Sequence, residues 1–231
     1  MPRSLLAVAL AVLAVLTPAA IAQAAPTLSF DQPCYSPGDD MTFSGTGYTP
    51  NGQVNIFFSL IETQRFGQYD TQADAAGALD GKLDTPDVDS FLGENDWSGT
   101  MGAAANDRTR VDAGAPPEES VGLTTFTLSR WAVQLEQPNG ARPRAGRPMI
   151  VTAKGFTNAR GETLYVHYRR SRRTMKTVKL GRLTGDCGDR TKRLARGLPR
   201  GLRPGRYELV FNTTRRNPQA GPRINQTLRL R

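Results

Sequence analysis

The chain has 231 residues, a net charge of +9, 38% hydrophobic residues, two cysteines and one histidine. That length leaves room for one large domain or two small ones of about 100 residues each, the usual size of a sandwich fold. His167 stands without a cysteine or carboxylate at ligand spacing, so neither a histidine-based metal site nor a catalytic histidine is expected.

Met1-Pro2-Arg3 precedes an apolar stretch from Leu5 to Leu16, and Ala22-Gln23-Ala24 stands as an A-x-A cleavage site. The expectation is a cleaved signal peptide over residues 1–25. The competing reading, a membrane span, needs about 20 apolar residues, and Pro18 interrupts this run. No cysteine stands at the cleavage point and no apolar or sorting motif ends the chain. A secreted product with no lipid anchor and no transmembrane segment is expected.

An internal repeat organises the remainder. Gly38 to Leu60 and Gly146 to Arg170 match at an offset of 108. Met41, Phe43 and Gly45 alternate as Met149, Val151 and Ala153 do. Gly47-Tyr48-Thr49 answers Gly155-Phe156-Thr157, and Ile56-Phe57-Phe58 answers Leu164-Tyr165-Val166. Each copy reads as strand, turn, strand.

In chain order, Thr27 to Phe30 is a short edge strand ended by Pro33, and the first repeat copy follows. Ala78 to Leu83 places Leu79 and Leu83 on one face; Trp97 to Asn106 does the same with Trp97, Gly99, Met101 and Ala103. Asp107 to Ser120 reads as a proline- and acid-rich loop before a closing strand, Val121 to Ser129. The second half opens with Val133 to Glu136 and passes through the second copy. Met175 to Leu180 follows as an extra strand, then Tyr207 to Asn212, a loop from Arg215 to Arg223, and Ile224 to Leu230. No stretch sustains a helical period. Six or seven short strands per half predict an all-β chain, two tandem immunoglobulin-like β-sandwiches after a cleaved signal peptide, over residues 26–132 and 133–231. They join near Arg130-Trp131-Ala132 without a flexible spacer, so a stiff pair is expected.

In an exported chain the two cysteines, Cys34 and Cys187, are expected to form one disulfide stapling the halves together. It closes a loop of 153 residues, worth about 4–5 kcal/mol on the chain-entropy model. Two free or intermolecularly paired thiols are the alternative.

Charge is divided between the halves. Residues 26–132 hold 5 basic and 16 acidic side chains; residues 133–231 hold 24 basic and 5 acidic. The densest cluster, Arg169, Arg170, Arg172, Arg173 and Lys176, falls where two strands should join in a hairpin, and Arg215 and Arg216 occupy the last loop. Loops at one end of a sandwich lie together, so these residues are the candidate polyanion-binding set. The contrast between copies is sharpest where Leu60-Ile61-Glu62-Thr63 follows the first and Ser171-Arg172-Arg173-Thr174 the second. A solvated basic face, or one docked on the acidic half, is the plain alternative.

Enzymatic chemistry is not expected. There is no G-x-S-x-G elbow, and His167 reads as a strand-surface residue. Asp84, Asp87, Asp89, Glu94 and Asp96 offer carboxylates for glycoside hydrolysis or hard ligands for calcium, but in a loop without a glycine-pinned calcium pattern. Solvated acids are the default, and no cofactor or metal is expected.

Cys34-Tyr35-x-Pro37-Gly38, the Asp74-x-x-Gly77 turn, Gly155-Phe156 beside Leu164-Tyr165-Val166-His167-Tyr168, Leu180-Gly181-Arg182-Leu183-x-Gly185-x-Cys187-Gly188 and Pro204-Gly205-Arg206-Tyr207 form an ordered set. With it the chain resembles uncharacterised secreted bacterial proteins with two immunoglobulin-like domains, over nearly its whole mature length. The resemblance implies fold and export and supplies no catalytic residues. The expected function is a secreted, non-catalytic binding or envelope-associated protein. Its partner is an anionic cell-wall polymer or other polyanion. The alternatives are a structural protein that self-associates or engages a protein partner through acidic-basic pairing, and, remotely, a small carboxylate-dependent hydrolase.

Overall fold

The computed structural model describes residues 24–60, 66–94 and 96–230. Nearly all of the expected signal peptide, and Ile61 to Thr63 behind the first repeat copy, lie outside the described residues.

Alternation decides which segments become strands. In β3 (Asp40–Gly45) Met41, Phe43 and Gly45 are buried while Asp40 and Ser44 meet water, and β10 (Met149–Lys154) buries Met149, Val151 and Ala153 in the same way. The first sandwich adds β1 (Ser29–Phe30), β2 (Cys34–Tyr35), β4 (Gln53–Leu60), β5 (Phe66–Gln72), β6 (Leu79–Asp84), β7 (Ser98–Asp107) and β8 (Val121–Ser129). Its sheets run β1-β3-β6 and β2-β8-β7-β4-β5, with β2 parallel to β8. The second contains β9 (Ala132–Glu136), β11 (Thr163–Arg170), β12 (Arg173–Arg182), β13 (Arg190–Leu194), β14 (Gly205–Asn212) and β15 (Ile224–Leu230). Its sheets run β13-β10-β9 and β12-β11-β14-β15. Both orders are immunoglobulin-like, and the chain is all-β with two such sandwiches in tandem. Tyr207, near the start of β14, donates its hydroxyl to the Arg203 carbonyl at 2.7 Å, the corner tyrosine of that fold. Each sandwich encloses its own core: Met41, Phe43, Ile56, Leu79 and Met101 in the first, Val151, Leu164, Val166, Leu209 and Phe211 in the second.

Several elements differ from expectation. Among the described residues, eight strands build the first sandwich. β12 is no extra strand, because β5 holds the same place beside β4; the surplus element is β2. β5 is an edge strand with Gln68, Asp70 and Gln72 exposed, so it carries no apolar alternation. β13 hides for a related reason: Arg190 and Lys192 take the half-buried positions, where long aliphatic stems pack and only the heads reach water. The Asp107–Ser120 loop contains two one-turn helices, α1 (Arg108–Asp112) and α2 (Pro117–Ser120). Fully buried Asp107 caps the first of them, accepting from Arg110 N at 3.2 Å and from Thr49 N at 2.6 Å.

Among the described residues, a disulfide, a ring contact and hydrogen bonds to Asp39 join the sandwiches. Cys34 and Cys187 are disulfide-bonded, Cα to Cα 5.2 Å, the pairing expected from the sequence. Trp131 meets Phe156 edge to face at 6.2 Å. Asp39, 5% exposed, accepts from Ser36 N at 2.7 Å within its own sandwich, and from Thr157 Oγ1 at 2.6 Å and Asn158 Nδ2 across the joint. Gly155 makes this approach possible, since a Cβ there would lie 2.3 Å from the Arg130 carbonyl oxygen. Its φ of +72°, matched by +85° at Gly47, explains why both repeat copies keep glycine at this turn.

Replacing Asp39 by alanine strands buried donors and should cost about 1–3 kcal/mol. Removing both cysteines should cost about 2–5 kcal/mol. Urea midpoints at constant slope measure both; an unchanged midpoint for Asp39→Ala would show that the carboxylate does not hold the joint.

Candidate functional site

The register of the second sandwich sorts its loops into two ends. β9 and β10 pair Lys154 with Ala132 at one end and Ile150 with Glu136 at the other, and β10 pairs Met149 with Leu194. β11 leaves the Thr157 turn at the joint and finishes at Arg170 beside the start of β14. Residues 137–148, 170–176 and 195–206 therefore gather at the end away from the first sandwich. Hydrogen bonds tie them together: Gly197 N to Arg147 O at 2.7 Å, Leu198 N to Ala145 O at 3.1 Å, Tyr168 hydroxyl to Gly197 O at 3.1 Å, and Arg170 Nη2 to Pro204 O at 3.2 Å.

These three segments carry three, four and four basic residues and no acidic one. The five acids of the second sandwich lie outside these segments. Asp186 and Asp189 face Arg160 and Lys154 near the joint, Glu162 precedes β11, Glu136 ends β9, and Glu208 is paired inside the sheet. Like charges at one end raise the local potential, and the carboxylates that border it, Glu136 at the end of β9 and Glu208 paired with Arg169, offset only part of it.

Within the expected cluster, Arg170, Arg172, Arg173 and Lys176 are exposed at this distal end. Arg170 lies 4.7 Å over the Tyr207 ring, which fixes the base of the hairpin. Arg170 pairs with Arg173, and the two residues between them have positive φ, +47° at Ser171 and +65° at Arg172. That is the pattern of a type I′ turn, which favours asparagine and glycine. A side chain in this region costs about 1 kcal/mol per residue, and the arginine stands there despite it.

Arg169 departs from the exposed set. It is 9% exposed, ion-paired to Glu208 at 2.9 Å, and donates through Nη2 to the Arg172 carbonyl at 2.8 Å. It braces the turn from beneath. Arg215 and Arg216 are exposed, but they follow Asn212, which pairs with Tyr165 at the joint end of the sheet, opposite the hairpin. Sequence reasoning missed Arg142, Arg144 and Arg147, which reach the site only through the β9–β10 connection. Their signal was a basic turn without acids at the start of the second repeat.

His167 is a correction: it is fully buried, not on a wetted strand surface. The loop after β14 folds over it, and Asn212 Nδ2 donates to the Asn217 carbonyl at 3.1 Å. The Asn212 amide oxygen therefore faces His167 Nε2 at 2.9 Å and accepts from it, leaving Nδ1 to accept from the Thr177 hydroxyl at 2.9 Å. Both ring nitrogens are occupied.

The acidic segment also has internal partners. Asp87 caps the one-turn helix Val88–Phe91, and its carboxyl is held below the usual range, first by the Ser90 hydroxyl and then by Asp89 N. Asp89 pairs with Arg130, and Asp96 accepts from Gly93 N at 3.2 Å. Among the described residues no three His, Cys, Asp or Glu side chains gather as a metal site.

No family model matches the chain, and no curated protein does. Among solved structures it is similar to a tetra-tandem repeat in the extending region of a large adhesion protein, at 16% identity and a TM-score of 0.31, covering 88% of this chain and 47% of that one. It is also similar to red sea bream transglutaminase, at 13% identity and a TM-score of 0.31, covering 90% of this chain and 31% of that one. The chain thus spans about half the length of the first and a third of the second. At these scores the likeness carries no argument about activity.

Proposed function

We propose that the protein is a secreted, non-catalytic binding protein that holds polyanionic surfaces, such as anionic wall polymers, through the distal end of its second sandwich. One observation carries this reading: three hydrogen-bonded segments at that end hold eleven basic residues and no acidic one. Spread over several loops, such a cluster suits a polymer or a charged surface better than one small anion. Nucleic-acid stacking is not favoured, because Tyr168 and Tyr207 are buried and leave no aromatic platform beside the arginines. The turn strain at Arg172 supports the same reading, since it keeps a guanidinium at the hairpin tip where glycine would be more stable.

On an anionic polymer matrix, retention should be strong at roughly 0.1 M salt and lost by roughly 0.5 M. Arg170→Glu, Arg172→Glu and Arg173→Glu together should weaken it at least about 100-fold, whereas Arg215→Glu with Arg216→Glu should have a much smaller effect. Absence of retention at low salt sinks the proposal. Arg172→Gly separates stability from binding: a gain of about 1 kcal/mol in urea unfolding with weaker retention is expected. Unchanged retention would remove the hairpin tip from the site.

A further inference from the structure

The loops that carry the arginines also border an open, mostly apolar cleft. β12 and β13 are edge strands of opposite sheets, bridged where Arg190 Nε donates to Leu180 O at 3.1 Å. Beyond that bridge, toward the distal end, Val178, Leu194, Ala195 and Pro199 line a cleft of about 330 Å³, with the exposed Arg196 and Arg200 at its rim. Its volume falls at the small end of the range for ligand sites. Also on β12, three residues before Val178, Met175 is 50% exposed between basic neighbours, Arg173 and Lys176. A wall phosphopolymer or an anionic polysaccharide has no apolar arm to fill such a cleft. A bilayer of anionic phospholipid presents both chemistries, phosphate for guanidinium forks and acyl chains for the apolar lining.

We propose that the polyanion recognised by this end is an anionic phospholipid bilayer. Arg196 and Arg200 hold lipid phosphate at the rim of the cleft, an acyl chain enters between Val178 and Leu194, and Met175 dips into the interfacial layer. This rests on the polyanion reading above, and it adds a component that salt does not screen.

The test compares cosedimentation of the protein with phosphatidylglycerol vesicles and with phosphatidylcholine vesicles, and its binding to soluble inorganic polyphosphate. The expected result is binding to phosphatidylglycerol and to polyphosphate but not to phosphatidylcholine. At roughly 0.5 M salt polyphosphate should be released while vesicle binding persists. The uncharged double variant Met175→Gln with Ala195→Gln, both at solvent-facing positions, should lose about tenfold on phosphatidylglycerol vesicles and nothing on polyphosphate. The lipid inference falls, with the polyanion reading intact, if vesicles and polyphosphate are released together by salt, or if the double variant affects both ligands equally or neither. Equal binding to phosphatidylcholine also overturns it. Binding to none of the three overturns both.

Discussion

Asp39 lies between the two sandwiches, 5% exposed, with three hydrogen-bond donors around its carboxylate, none of them charged. A buried carboxylate is tolerated only where donors replace the lost water, and two of these come from the other sandwich. The Thr157 turn can therefore meet the Asp39 loop in few orientations. The disulfide ties Cys34 of β2 to the Cys187 loop, and Gly155 removes the side chain that would hold the backbones apart. This joint consumes one end of the second sandwich and leaves its other end to solvent.

The layout of charge follows from that choice. Residues 133–231 carry 24 basic side chains against 5 acidic, yet the acids are not scattered among them. Asp186 and Asp189 sit near the joint with Arg160 and Lys154, and Glu208 holds Arg169 beneath the hairpin. The three segments at the remaining end hold cations only, with Glu136 at their border. Arg169 illustrates how one cluster splits into roles: it gives up exposure to Glu208 and, through the Arg172 carbonyl, steadies a turn whose backbone would otherwise favour glycine.

Much of the fold was legible because sandwich cores impose a period of two wherever one face of a sheet is buried. β3, β10, β7 and β8 all announce themselves this way, and the glycine turn repeated at an offset of 108 identifies the second copy. The misses have a common cause. β5 and β13 are edge strands whose polar or cationic side chains erase the pattern, and β2 is a two-residue strand recognisable only from its partner β8. His167 and Arg169 misled for the opposite reason: polar residues alternate outward on β11, but the loop after β14 folds back and buries that face.

By itself the sequence determined the all-β class, the tandem repeat and the excess of arginine in the second half, because each is written in local alternation or in composition. Only the tertiary structure decided which arginines stand together. Strand register brings residues 137–148, 170–176 and 195–206 to one end and sends Arg215 and Arg216 toward the other. Contacts between segments so far apart in the chain depend on how the ladders align and how the joint is packed, and no short stretch of residues encodes either.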